Sequence, residues 1–286
     1  MTPDQPMTHP AKSSDPSPST IQPDSPADAP AVPATLQVHF KTEAGRVLLL
    51  LPPEPPAQDD SDPPTGSRGW SELWQQLKHR LNSMEQGWQP NTEVYLIGGG
   101  RLLDVRQLQE IAEALRDVQL ILKRVQTTRR QTAVAAATVG YSVDQTAEPV
   151  HLSPSSPSKN SDKAVVLAEP LYLQTTLRSG MDVRHPGTVV ILGDVNPGSS
   201  VVADGDIIIW GRLRGNVQAG SKGNSKSMIM ALQMEPNLIR IADKLARGPE
   251  SPPAQFQPEV AYITDQGIRI SKAADFSKIK TWQIQD

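Results

Sequence analysis

Three short stretches carry the residues best suited to recognition chemistry. They are Arg178-Ser179-Gly180, Asn196-Pro197-Gly198 and Arg214-Gly215-Asn216, with eighteen residues from the start of each to the start of the next. An arginine guanidinium is a planar fork of donors that stays charged and pairs with carboxylates through two hydrogen bonds. Small neighbours let a partner's backbone come close. If the eighteen-residue spacing is one structural repeat, the three stretches stack into a row. That row is either a binding ridge or a set of tight corners with solvated arginines, and spacing alone leaves both open.

Catalytic patterns are weaker. Gly98-Gly99-Gly100 follows a strand-like run and precedes a helix-like one, where phosphate loops sit. It lacks the GxGxxG spacing and the Lys-Ser/Thr of a phosphate-binding loop, so a simple turn is the better reading. His9, His39, His79, His151 and His185 are not spaced with one another or with carboxylates as metal ligands would be. No G-x-S-x-G elbow occurs, and Asp59-Asp60 sits in a polar stretch. With no cysteine, disulfides and thiolate metal sites are excluded, and a reducing cytoplasm is the simple inference. No metal or cofactor is expected.

The corners need a scaffold, and the sequence describes one. Leu171, Leu177, Val183, Val189, Val195, Val201, Ile207, Leu213 and Ala219 are six residues apart and all apolar. A helix would show a period near 3.6 and an ordinary strand a period of two. A sustained period of six fits a β-helix, whose short strands each point one residue inward per side. Thr188-Val-Val-Ile-Leu-Gly193-Asp-Val195 returns eighteen residues later as Asp206-Ile-Ile-Ile-Trp-Gly211-Arg-Leu213, so one coil has three sides. A β-sandwich with regular turns is the bland alternative.

Upstream, the pattern changes to alternating strands and helices, which predicts a small α/β domain over 35–143. Leu36 to Phe40 and Val47 to Leu51 read as a hairpin. Trp70, Leu73, Trp74, Leu77 and Leu81 fall on one helical face, and Val94 to Ile97 is a strand. Asp104 is an N-cap with Gln107 as its capping-box partner, followed by a stripe of Val105, Leu108, Ile111, Ala112 and Leu115. Leu120 to Val125 is a strand, and Thr128 to Val139 a helix closed by Gly140. The whole is therefore a two-domain α+β and all-β chain. Residues 1–34 form a Pro-rich disordered leader, 52–66 a Pro-rich insert, 144–168 a linker, 169–272 the hexad domain and 273–286 a tail. Asn237 to Leu245 is ambiguous between strand and helix. Asp265-Gln266-Gly267 between two apolar runs reads as a final hairpin that caps the stack.

The net charge of -3 over 286 residues argues against nucleic acid, which wants a basic surface. Three Phe and four Tyr offer few stacking platforms. No run of eighteen apolar residues exists, so no transmembrane helix is expected, and the N-terminus lacks a secretory pattern.

Leu177-Arg-Ser-Gly180, Gly193-Asp-Val-Asn-Pro-Gly198, Val202-Ala-Asp-Gly205-Asp-Ile207, Trp210-Gly-Arg-Leu-Arg-Gly215 and Ala219-Gly220 together resemble the C-terminal domain of the bacterial septum site-determining MinC family. The likeness spans roughly residues 171–270; upstream it extends only to the pattern and order of elements. It implies a cell-division inhibitor and not an enzyme, with a right-handed, triangular β-helix that forms a homodimer. It implies binding to the ATP-bound, membrane-associated ATPase MinD, and an N-terminal domain that antagonises polymers of the tubulin-like FtsZ. The protein would then be cytoplasmic, reaching the inner face of the plasma membrane only through MinD. The family's Arg-Ser-Gly-Gln contact carries over to Arg178, Ser179 and Gly180, with Met181 standing where Gln is usual. Gly198, Gly205 and Gly215 follow, and Arg214 joins from the row of corners. The resemblance also tips 237–242 towards a strand.

Two other classes share a period of six. Hexapeptide-repeat acyltransferases need a histidine base between coils, and His185 is the only histidine in the repeat. A self-assembling β-helical scaffold would need uncapped ends.

Overall fold

The computed structural model describes residues 37–54, 68–83, 87–147, 167–248 and 255–276. The leader, most of the insert and linker, most of the tail, Asp59-Asp60, His9 and His151 lie outside these residues.

Strand β1 (His39–Glu43) pairs antiparallel with β2 (Arg46–Leu50). The connecting Ala44 and Gly45 both have positive φ, 50° and 77°. Two such residues in succession are the signature of a tight primed turn. Helix α1 (Arg68–Ser83) then lays Leu73, Leu77 and Leu81 into the core. β3 (Thr92–Gly99) runs parallel to β2, and α2 (Val105–Asp117) follows. The capping box forms as expected: Asp104 Oδ1 accepts from Gln107 N at 2.7 Å, and Gln107 Oε1 accepts from Asp104 N at 3.1 Å. β4 (Leu120–Thr127), α3 (Arg130–Thr138) and β5 (Ser142–Gln145) complete the module, with β3, β4 and β5 parallel. Gly140 at φ 92° lets the chain leave α3.

Eleven further strands among the described residues make the C-terminal part almost wholly β. They are β6 (Ala168–Leu173), β7 (Asp182–His185), β8 (Gly187–Leu192), β9 (Ser200–Ala203), β10 (Ile207–Leu213), β11 (Asn216–Ala219), β12 (Ile229–Met234), β13 (Leu238–Ile241), β14 (Lys244–Arg247), β15 (Glu259–Thr264) and β16 (Gly267–Lys272). They alternate between two stacks. β6, β8, β10 and β12 pair in parallel along one side, and β7, β9, β11 and β13 along another. A third side is marked by single parallel bridges, Leu177 to Val195 and Val195 to Leu213. Leu171 faces Val189, Val189 faces Ile207 and Val183 faces Val201, each eighteen residues on. All nine hexad residues are fully buried, because side chains from successive levels fill the space between them.

The coils are less uniform than the sequence suggests. Val201 faces Val217, sixteen residues on, so Ala219 does not stack on Val201. Ala219 points inward because it lies two residues after Val217 on the same strand face. The next coil takes twenty-two residues, Ile207 facing Ile229. The ambiguous stretch at 237–245 resolves into β13 and the start of β14, an antiparallel pair. β15 and β16 form the expected hairpin, and β15 pairs antiparallel with β12 to end that stack.

One pairing is absent from the sequence reading. β5 pairs with β7 in parallel, Val143 facing Val183 and Asp144 facing Arg184. The N-terminal sheet therefore continues into the coil as one ten-stranded sheet, β1-β2-β3-β4-β5-β7-β9-β11-β13-β14.

Candidate partner-binding ridge

The corner between the bridged side and β7, β9 and β11 is built from short turns. Gly180 and Gly198 take φ of 83° and 78°. Residues with a Cβ rarely adopt that conformation. Main-chain bonds lock successive corners together: Asn196 N donates to Leu177 O at 3.0 Å, Gly180 N to Gly198 O at 2.9 Å, and Arg214 N to Val195 O at 2.8 Å. The three corners predicted to stack do stack. Arg214-Gly215 is two residues shorter than its counterparts, which accounts for the sixteen-residue register.

The exposed crest consists of Arg178, Ser179, Gly180, Pro197 and Gly198, with Arg214 half-buried beside it. At φ 78° Gly198 favours a residue without a Cβ, and a Cβ there would also lie 2.5 Å from Ser179 Oγ, which would have to turn aside. Arg214 hydrogen-bonds Asn196 Oδ1 and lies 3.9 Å from Asp194, whose backbone N donates to Thr176 Oγ1 at 3.4 Å. Asp194 Oδ1 also accepts from Arg212 N at 2.8 Å. Arg178 has no ion pair among the described residues. It is the arginine of the row left open to a partner.

Three predicted site residues are not on the crest. Met181 is only 7% exposed, and its sulfur accepts the Arg178 N–H at 3.4 Å. It braces the corner from beneath, where an apolar thioether is at home. Gly215 is buried, and a Cβ there would lie 2.7 Å from Ser199 O. Gly205 belongs to a different corner, where Gly205 N donates to Gly187 O and Gly220 N to Gly205 O.

The other candidates are structural here. Gly98 to Gly100 aims carbonyls, not N–H groups, at its neighbours: Gly99 O accepts from Thr128 N at 2.9 Å and Gly100 O from Arg129 Nε at 2.8 Å. That is a turn, as the missing motif residues imply. His185 is 3% exposed, with Nε2 2.9 Å from Glu169 O and Nδ1 3.1 Å from Gln145 Oε1.

His185 yields a pH prediction. Burial pushes its imidazole below the ordinary value of 6.5, and the nearby Arg130 adds to this, against the Glu169 carbonyl and Asp204. A depressed folded value means the neutral form is favoured in the native state. Its contribution is complete above pH 6.5 and is lost as pH falls through the folded value. Urea titrations from pH 7.5 to 5 are expected to show a falling midpoint. His185→Gln is expected to flatten part of that slope.

The residues around β5 and β7 escaped the sequence reading. Arg124 Nη2 lies 2.7 Å from Asp182 Oδ2, which also takes Arg184 Nε at 3.1 Å. Ser142 Oγ accepts from Asp182 N at 3.1 Å and donates to Gly180 O at 3.5 Å. The only available signal was the alternation Ser142-Val143-Asp144, too short to distinguish a strand from a linker.

The coil stack thus presents one flat corner row whose exposed arginine has no ion pair among the described residues. The profile described as "Septum formation inhibitor MinC, C-terminal domain" matches residues 171–273. A protein of Nostoc sp. named as a probable septum site-determining protein MinC is 53% identical over 85% of this chain. The chain spans 64% of that relative's length. Proteins with the same name from Gloeobacter violaceus and Synechocystis sp. are 49% and 47% identical, and the matches cover 81% and 91% of their lengths. Among solved structures, a MinC:MinD cell division protein complex of Aquifex aeolicus shares 37% identity over 41% of this chain and 98% of the matched chain, with a TM-score of 0.36. The chain belongs to the septum site-determining protein MinC family.

Proposed function

We propose that this protein is a cell-division inhibitor that acts by docking and performs no chemistry. In this reading the coil stack is a right-handed, triangular β-helix whose crest, Arg178 to Gly180 with Gly198 and Arg214, binds ATP-bound MinD. The N-terminal module then antagonises FtsZ polymers away from midcell, and MinD brings the protein to the membrane surface. A second copy covers the outer face of β6, β8, β10 and β12. There Tyr172 and Trp210 are 48% and 63% exposed, and Leu192 lies beside Trp210 in register. Two inhibitory modules per dimer would bind a polymer with avidity of about 10²–10⁴ over a single one. The observation that carries the reading is Arg178, exposed on a crest kept free of side-chain bulk.

The test is co-sedimentation with MinD on lipid vesicles in ATP and in ADP, and with FtsZ polymers. Recruitment is expected with ATP only, together with fewer or shorter polymers. A charge-assisted hydrogen bond contributes about 1.5–3 kcal/mol, so Arg178→Ala should weaken recruitment roughly 10- to 150-fold without altering the fold. Unchanged recruitment of that variant would remove the ridge from the reading.

A further inference from the structure

The N-terminal module reaches the crest with one side chain. A Cβ on Gly180 would meet a single atom within 4 Å, Lys123 Nζ at 3.6 Å. Lys123 belongs to β4, and Gly180 is exposed. An ammonium group from the other module therefore stands at the open end of Arg178-Ser179-Gly180.

Its place is fixed by the seam between module and coil. Leu96, Val125, Val143, Val183 and Val201 face one another strand by strand from β3 to β9, and all are fully buried. One apolar row thus crosses the seam unbroken, and α3 packs on β6. Close packing of this kind holds the joined elements in one arrangement. Ser142 Oγ ties the corner itself to β5, donating to Gly180 O at 3.5 Å and accepting from Asp182 N at 3.1 Å.

A β-bulge aims the lysine. The pairing of β3 with β4 passes from Val94–Leu122 to Tyr95–Arg124, so Lys123 is an extra residue without an opposite number. Bulges re-aim side chains in this way. Leu122 and Val125 stay in the core, while Lys123 and Arg124 are both half-exposed outside it. Arg124 can then hold Asp182 while Lys123 extends to the crest.

The nearby carboxylates already have partners. Asp182 takes Arg124 at 2.7 Å and Arg184 at 3.1 Å, and Asp194 lies 3.9 Å from both Arg212 and Arg214. Neither Lys123 nor Arg178 has an ion pair among the described residues. Two cations without a carboxylate stand at one corner, one from each module.

We propose that the docking ridge is shared by both modules: Lys123 extends the Arg178 to Gly180 crest and takes a carboxylate of the partner that docks there. This rests on the ridge reading above. The partner then recognises the two modules in their joined arrangement and not the coil stack alone.

Titrating recruitment of the full chain to MinD-bearing vesicles in ATP tests it. Lys123→Met removes the ammonium and keeps the stem. It is expected to weaken recruitment about 5- to 12-fold, between the strength of an exposed ion pair and that of a charge-assisted hydrogen bond. Lys123→Glu sets like charges face to face and is expected to weaken it about 30-fold or more. Lys123→Arg keeps the charge and is expected to stay within about 2-fold of the parent. Recruitment of Lys123→Met should also fall less steeply with salt than that of the parent. Equal losses in all three variants, with a lowered urea midpoint, would make Lys123 a structural residue and overturn the proposal. Arg178→Ala is measured beside them. If it weakens recruitment while Lys123→Met and Lys123→Glu match the parent, the shared ridge falls and the ridge reading stands. If Arg178→Ala also matches the parent, or the parent is not recruited, both fall. Binding that depends on Lys123 but needs only vesicles of phosphatidylglycerol and phosphatidylcholine, without MinD, would overturn the proposal in favour of a lipid contact.

Discussion

Gly193→Ala is expected to cost about 2–6 kcal/mol of coil stability, from backbone strain and overpacking together. Gly193 has φ 150°. A residue with a Cβ is strained there by roughly 1–3 kcal/mol. The added methyl would also point at the backbone of the coil below, 2.8 Å from the Thr175 carbonyl carbon and closer still to its oxygen. Backbone cannot turn aside as a side chain can, so overpacking adds about 1–3 kcal/mol. Gly211 repeats the arrangement eighteen residues on, its own Cβ position falling against Gly193. Domains hold only about 5–15 kcal/mol in total, so the loss should appear as a large drop in urea midpoint. Gly267→Ala is the control. Gly267 has φ 115° with nothing within 4 Å of a Cβ, so it reports the strain without the collision. If the two variants lose equal stability, the close approach of successive coils at Gly193 contributes nothing.

That pair also shows what a sequence can disclose. Glycines at eighteen-residue intervals reveal that a coil repeats, because the repeat lies in local backbone geometry. The capping box at Asp104 and Gln107 was legible for the same reason: both partners lie within one turn. The hexads were legible because each side of a coil must turn one apolar residue inward whatever its neighbours are. The breaks in the repeat were not. Nothing local says that Arg214-Gly215 closes a corner in two fewer residues. The register is set by which strand lies beside β9, a long-range fact.

The site divides in the same way. Arg178, Ser179, Gly180 and Gly198 were findable because equivalent corners must form a row. Met181 was grouped with the contact only because it stands where the resembled family has Gln, while the corner folds its thioether inward. Gly205 came only with the family resemblance, and its main-chain bonds to Gly187 and Gly220 set it at another corner. The seam was least legible. Arg124 and Asp182 lie 58 residues apart, on strands that no periodicity connects.

Leu213 and Trp210 stand three residues apart on one strand and should fail in opposite ways. Leu213 is fully buried and bridged to Val195, so Leu213→Ala removes a side chain from a level of the stack whose neighbours are held by main-chain pairing. Such a site collapses poorly, and the cost is expected at about 2–5 kcal/mol, read in urea at any protein concentration. Trp210→Glu removes a ring that is 63% exposed. The isolated chain should therefore lose no more than about 0.5 kcal/mol. In the proposed homodimer that ring is a central anchor, and a charge in its place faces the apolar outer side of β6, β8, β10 and β12. Truncating such an anchor costs at least about 2 kcal/mol of association, a roughly 30-fold weaker dimer by sedimentation velocity. A folded Trp210→Glu variant that still dimerises at its original concentration would move the second copy to another face. A Leu213→Ala variant as stable as the parent would mean that the hexads are a pattern without a core behind them. The two measurements separate what the coil stack needs in order to exist from what it offers to another molecule.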